Sequence, residues 1–443
     1  MIGKKKETVF KNTTKDSIEI DIDGISHTIE RKLDALVKLM QDFSRNSIQT
    51  ADKIYNIGTI TNANFEYVID SINSKKEFPE KLEKQLIRDN QSWIKSLKHE
   101  LLDSYKLPVK NSSKDIFQYY GWLIEAFLQK LLSKSAKDKN LRRLSFMTEA
   151  WQASLRYLCY IQMAQLMESK KNHNYKLISD FIQASHNEHI LFDYTSLLLI
   201  TSKAVGENNF IPEIIPFTME LTNSDSLLFE TSLYLNDIRS KLIKQKLNDS
   251  NMDSIIDRYL SALVYWLRKI SFIAKYRLVS IKEINLDYNL GTNKFYVHSY
   301  GELHGIYNKS ELLDEEDDDY MYISIEDACT FNKSILLFSE HVLESAFNDK
   351  KIQQKNYLCL SPLIIDQSVY SDKQTQTPEI FYFSGYDIQS KQYQYSLYKN
   401  ELVYKGNKDL RSNDYLNIEE HNDEYLLNKL YKQIVDNLEP FKE

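Results

Sequence analysis

LLFETSLYLNDIRSKLIKQKLNDSNMDSIIDRYLSALVYWLRKISFIAKYRLVSIKEI, residues Leu227–Ile284, is the stretch whose reading decides the fold. It reads as two apolar helices joined by a polar turn, the second covering about residues 253–279. Upstream of it, apolar residues recur at helical spacing, and downstream, short tyrosine-rich runs alternate with a period of two. The expected fold class is therefore α+β: a predominantly α-helical N-terminal two-thirds, a small antiparallel β-rich C-terminal domain and a final helix. Its segments fall at residues 1–73, 74–284 and 285–443.

Working outward, residues 80–105 form an amphipathic helix with Leu82, Leu86, Trp93, Leu97 and Leu101 on its inward face. Residues 115–132 and 146–167 are apolar on most sides, as central helices are, and a basic turn at 134–144 separates them. Two more helices follow at about 175–184 and 190–204, and Pro212 and Pro216 mark a turn. Thr222 to Asp225 offer an N-cap for the next helix. Past Ile284, strands are expected at 294–300, 320–325, 357–365, 379–386 and 391–404, while 335–347 fits strand or helix equally. A closing helix, Glu424–Leu438, docks through Leu427, Leu430, Ile434 and Leu438.

Composition excludes more than it assigns. With only 10 Gly and 7 Pro among 443 residues, long helices are expected; neither a P-loop nor a dinucleotide fingerprint occurs. The net charge of −7 gives no global basic footprint for nucleic acid. Cys159, Cys329 and Cys359 are widely spaced, so neither a disulfide framework nor a zinc site is indicated. No metal, cofactor or membrane partner is expected. The basic start leads into no apolar run, so a cytoplasmic protein without a signal peptide is the expectation.

Individual motifs are weak. Lys134, Lys137, Lys139, Arg142 and Arg143 form a basic cluster able to meet phosphates. His186 and His189, with Glu188 or Asp193, have the residue types of a metal site, but a polar turn is the favoured reading. Asp314–Asp319 resembles a cation loop by charge alone, and His298 and His304 flank Gly301 in an expected hairpin. Tyr393, Tyr395, Tyr398 and Tyr404 either form a recognition surface or cover one face of the sheet.

Two segments resemble known families. IEIDIDGI (18–25), a helix at His27–Phe43 and ADKIYNIGTITNANF (51–65) together resemble the small effector-associated adaptor regions of bacterial antiviral conflict systems. That resemblance implies pairing with a like segment on a partner protein, through the seam of Ile29, Leu33, Leu36 and Met40 with Tyr55 and Ile57. The residues alone fit a small cap packed on its own chain equally well.

LNDIRSKL (235–242), with the long apolar helix after it, resembles the distal helices of HEPN domains, which are helical RNase or interaction modules. Active members pair an Arg, often beside an Asn, with a His that follows after four to six intervening residues. The two meet at a dimer cleft and assist attack of an RNA 2′-hydroxyl on its phosphate. Arg239 and Asn236 match, but Lys244, Gln245 and Lys246 stand where the His belongs. Without imidazole the site lacks its acid–base group. The expectation is a non-enzymatic interaction or sensor component of a bacterial antiviral defence system. The alternative is a metal-independent endoribonuclease using Asn236, Arg239, Lys244 and Lys246, for which the resemblance implies a homo-oligomer.

Overall fold

A computed structural model describes residues 90–106, 113–132, 141–169, 175–244, 246–247, 252–287, 295–303, 319–324, 331–339, 356–370, 378–397, 415–420 and 425–442. The N-terminal seam (Ile29, Leu33, Leu36, Met40, Tyr55, Ile57), the lysines Lys134, Lys137 and Lys139, His304, Tyr398, Tyr404 and most of the acidic loop lie outside the described residues. The fold is α+β as expected, with helices first, two small antiparallel sheets in the C-terminal part, and a last helix.

The axis of the helical part is the long helix Leu141–Ser169. Helix α1 (Asn90–Tyr105) buries Trp93, Leu97 and Leu101, as its spacing requires, and Trp93 stacks on Phe117 at 5.4 Å. The helix expected over 115–132 is broken into α2 (Ser113–Phe117), a 3-10 turn at Gln118–Tyr120 and α3 (Trp122–Leu131). Gly121 is the reason. It takes φ +78°, and the Tyr157 ring lies 3.0 Å from where a Cβ would stand. Helix α4 (Leu141–Ser169) buries almost every side chain from Arg143 to Ala164. A helix apolar on all sides must be covered on all sides, and α3 and the helices Tyr194–Val205, Leu227–Ile243 and Met252–Lys269 pack around it. Its start takes in Leu141–Leu144, which the sequence places in a turn; Leu144 is fully buried and anchors that extra turn.

Then follow α5 (Lys176–Gln183), α6 (His186–Ile190), α7 (Tyr194–Val205), α8 (Ile214–Thr222), α9 (Leu227–Ile243) and α10 (Met252–Lys269). Pro216 lies inside the first turn of α8, where a missing N–H leaves no helical bond unmade. The N-cap of α9 is Ser226, whose Oγ accepts the Phe229 N–H at 3.0 Å, one residue beyond the expected capping stretch.

The main correction concerns the second half of the opening stretch. Helix α10 stops at Lys269; a 3-10 turn occupies Ser271–Lys275, and Tyr276–Asp287 is strand β1. Ile270, Ile273 and Tyr276 satisfy a helical spacing, but Val279 and Ile281 satisfy a strand spacing, and tertiary packing chooses the latter. Both are fully buried in one cluster with Tyr300, Leu336 and Phe338.

Strand β1 is central in the first sheet, ordered β3-β2-β1-β4-β5, with β2 at Phe295–Glu302, β3 at Asp319–Ser324, β4 at Ser334–Ser339 and β5 at Tyr357–Cys359. The ambiguous 335–347 segment thus begins as a strand. Gly301 lies within β2 opposite Ser280 rather than in a hairpin turn. The 357–365 run divides between sheets. After β5 the chain turns through a cis Ser361–Pro362 bond into β6 (Ile364–Asp366) of the second sheet, ordered β6-β7-β8-β9. Asp366 ties the sheets together by accepting the Ser280 hydroxyl at 2.8 Å.

Strands β7 (Ile380–Asp387) and β8 (Gln392–Leu397) match expectation; β9 (Tyr415–Ile418) is an addition. Tyr393 and Tyr395 of β8 are buried and cover one face of the sheet. Helix α11 (Tyr425–Leu438) docks through Leu430, Ile434 and Leu438, with Leu427 half-buried. No helix among the described residues is long and apolar enough to cross a membrane.

Candidate functional site

Arg239 turns inward from α9. Its Nη2 donates to the Ile190 carbonyl at the end of α6 at 2.8 Å and stands 3.7 Å from Glu149 Oε1 on α4. The two side chains are 4% and 3% exposed. Tyr259 of α10 is fully buried near the pair; burial drives its hydroxyl far above the ordinary phenol range, with Arg239 pulling the other way. Asn236, Lys244 and Lys246 instead face solvent. The four residues of the endoribonuclease alternative do not converge, and the guanidinium that would meet an RNA phosphate is sealed between helices. A buried ion pair of this kind holds a helix seam closed, since removing either partner strands a charge.

Two helical turns further along α4 lies a second polar centre that the sequence reading missed. His189 Nε2 lies 2.8 Å from the Phe181 carbonyl, which only accepts, so in the neutral ring Nε2 carries the proton. Nδ1 then accepts from the Tyr194 hydroxyl at 3.1 Å, and the Tyr194 oxygen accepts from Arg156 Nε at 3.2 Å. Arg156 also lies over the Tyr194 and Tyr382 rings at 5.2 and 4.6 Å. Phe383 of β7 packs on His189 and Phe181 at 5.5 and 5.8 Å, so this centre joins helices to the second sheet. An arginine in the middle of a helix apolar all round was the available signal, because a long stem there has no route to water.

The same seam brings backbone against backbone. Gly385 takes φ +151°, and a Cβ there would meet His186 N at 2.5 Å. Tyr386 N–H donates to the Ala184 carbonyl at 2.9 Å.

The remaining candidates are committed elsewhere. Glu188 closes a capping box with Ser185, and Asp193 caps α7 by accepting the Ser196 N–H at 3.0 Å. Thus the expected polar turn at 186–190 is a short capped helix. Among the described residues no group of three His, Cys, Asp or Glu is arranged to hold a metal. Burial, reinforced by Asp193, pushes the Cys159 thiol well up, and its Sγ donates to the Tyr194 carbonyl, which is a structural role. In the basic cluster, Arg142 is exposed, whereas Arg143 is buried and faces Asp257, with burial lowering its pKa. No family model, curated protein or solved structure matches the chain.

Proposed function

We propose that this protein is a non-enzymatic interaction or sensor component of a bacterial antiviral defence system, acting in the cytoplasm and recruiting a partner protein through residues 1–73. The observation that carries the non-enzymatic part is the inward Arg239, bound to the Ile190 carbonyl and beside Glu149. A guanidinium engaged in that way is unavailable to stabilise charge on a transferring phosphate. The recruiting role rests on the resemblance of residues 18–70 to adaptor regions.

Two experiments test the reading. Purified protein incubated with RNA is expected to give no cleavage that depends on Arg239; cleavage lost in Arg239→Ala, with a folded variant, overturns it. Pull-down with the full chain and with a chain lacking residues 1–73 is expected to lose the partner in the second case. Equal capture removes the recruiting role.

A further inference from the structure

Two tyrosine rings and a carboxylate surround one ammonium group at one end of the second sheet. Tyr386 on β7 and Tyr393 on β8 are cross-strand partners, with ring centroids 5.0 Å apart. Tyr431 of α11 approaches Tyr393 at 6.1 Å. Glu439, in the turn after α11, accepts a hydrogen bond from the Tyr393 hydroxyl. Lys442 enters this enclosure. Its Nζ lies 3.6 Å from the Tyr386 ring centroid and 4.6 Å from that of Tyr393. It donates to the Tyr393 oxygen at 3.0 Å and to Glu439 Oε1 at 2.6 Å.

The enclosure has the composition of an aromatic cage, the arrangement that recognises ammonium head groups through ring quadrupoles. Its rim is open: Tyr386 and Tyr431 are half-buried and the Glu439 side chain is 44% exposed, whereas that of Lys442 is 13% exposed. The Lys442 main chain is fastened independently, its carbonyl accepting from Ser179 Oγ at 3.0 Å and Gln183 Nε2 at 2.9 Å. The side chain can therefore leave the cage while the backbone stays docked.

We propose that Tyr386, Tyr393 and Glu439, with Tyr431 backing Tyr393, form a receptor for an organic ammonium head group, which Lys442 occupies in cis as an autoinhibitory plug. None of its residues belongs to residues 1–73, so the inference stands or falls independently of partner recruitment. The ligand chemistry is an alkylated ammonium, carried by a small quaternary amine or by a lysine side chain of another protein.

The test is calorimetric titration of Lys442→Ala and unaltered protein with tetramethylammonium and with n-butylammonium, at ionic strength matched with sodium chloride. Lys442→Ala is expected to bind at least about tenfold more tightly than unaltered protein, and adding Tyr386→Ala abolishes the binding. Tighter binding of tetramethylammonium identifies a quaternary amine, and of n-butylammonium a lysine side chain. No saturable binding by folded Lys442→Ala, or equal affinity for the two proteins, overturns the proposal. A second measurement needs no variant: in unaltered protein, tetramethylammonium is expected to raise the rate at which an acetylating ester modifies Lys442, read by mass spectrometry. Where folded Lys442→Ala binds tetramethylammonium, an unchanged rate overturns the proposal as well.

Discussion

The two seams along α4 bury an arginine each and hold it differently. At the helix–helix seam Arg239 meets oxygens, the Ile190 carbonyl and the Glu149 carboxylate. At the helix–sheet seam Arg156 lies against tyrosine rings and donates to a hydroxyl that passes the chain of bonds to His189. The difference follows from what each neighbour offers. Short helices end in carbonyls without helical partners, which accept from a guanidinium. A strand offers alternate side chains, here the aromatic residues of β7, whose faces attract cations. One seam should therefore depend on charge and the other on shape and hydroxyl placement.

The largest effect separates the seams at once. Arg239→Ala removes the cation 3.7 Å from the buried Glu149 carboxylate and the donor to the Ile190 carbonyl, and is expected to cost about 3–5 kcal/mol, read as a fall in the denaturation midpoint. A loss under about 1 kcal/mol would show that the pair does not hold that seam. At the other seam, Gly385→Ala drives a Cβ into the backbone at Ala184–His186 and is expected to cost roughly 2–3 kcal/mol. Tolerance of alanine there would mean the sheet is not pressed against α6.

A sharper contrast lies within the helix–sheet seam, where two tyrosines flank Arg156. The Tyr194 hydroxyl links Arg156 to His189, while the Tyr382 hydroxyl has no hydrogen-bond partner among the described residues. Tyr194→Phe is expected to lose about 1–2 kcal/mol, and Tyr382→Phe to be neutral or slightly stabilising. Equal losses would show that ring packing, not the hydroxyl, matters at both positions.

The smallest effect is at the rim of that seam. Burial opposes ionisation of Glu439, but the Lys442 ammonium and the Tyr393 hydroxyl outweigh it and hold the carboxyl below its ordinary value. A carboxyl lowered in the folded state stabilises above its unfolded pKa, near ~4.3, and loses that contribution as pH falls through the folded value. Being half-exposed, the group contributes roughly 0.5 kcal/mol or less. The midpoint gap between unaltered protein and Glu439→Gln is thus expected at neutral pH and should close in acid. A gap that persists to pH ~3 would break the assignment.

Much of this architecture is legible along the chain. Trp93, Leu97 and Leu101 repeat at four-residue intervals and are all buried, and Leu430, Ile434 and Leu438 do the same for α11. The burial of α4 follows from apolar residues on every side. The ends were harder to place. Gly121 reads as one more residue of a helix until the ring of Tyr157, far along the chain, fills the space beside it. The 357–365 run reads as one strand because each half has strand composition; only pairing with β4 on one side and β7 on the other divides it.

The opening stretch, Leu227–Ile284, shows where the boundary falls. By itself the sequence determined that it is apolar, that a polar stretch divides it, and that Arg239 has no histidine four to six intervening residues after it. These are properties of local spacing, which fixes the pattern of side chains along an element. Only the tertiary structure decided that its last nine residues, Tyr276–Ile284, belong to the central strand of a sheet and that Arg239 points at Glu149. The physical reason is the same in both cases. A strand completes its backbone hydrogen bonds, and a buried charge finds its counter-charge, with residues supplied by distant parts of the chain.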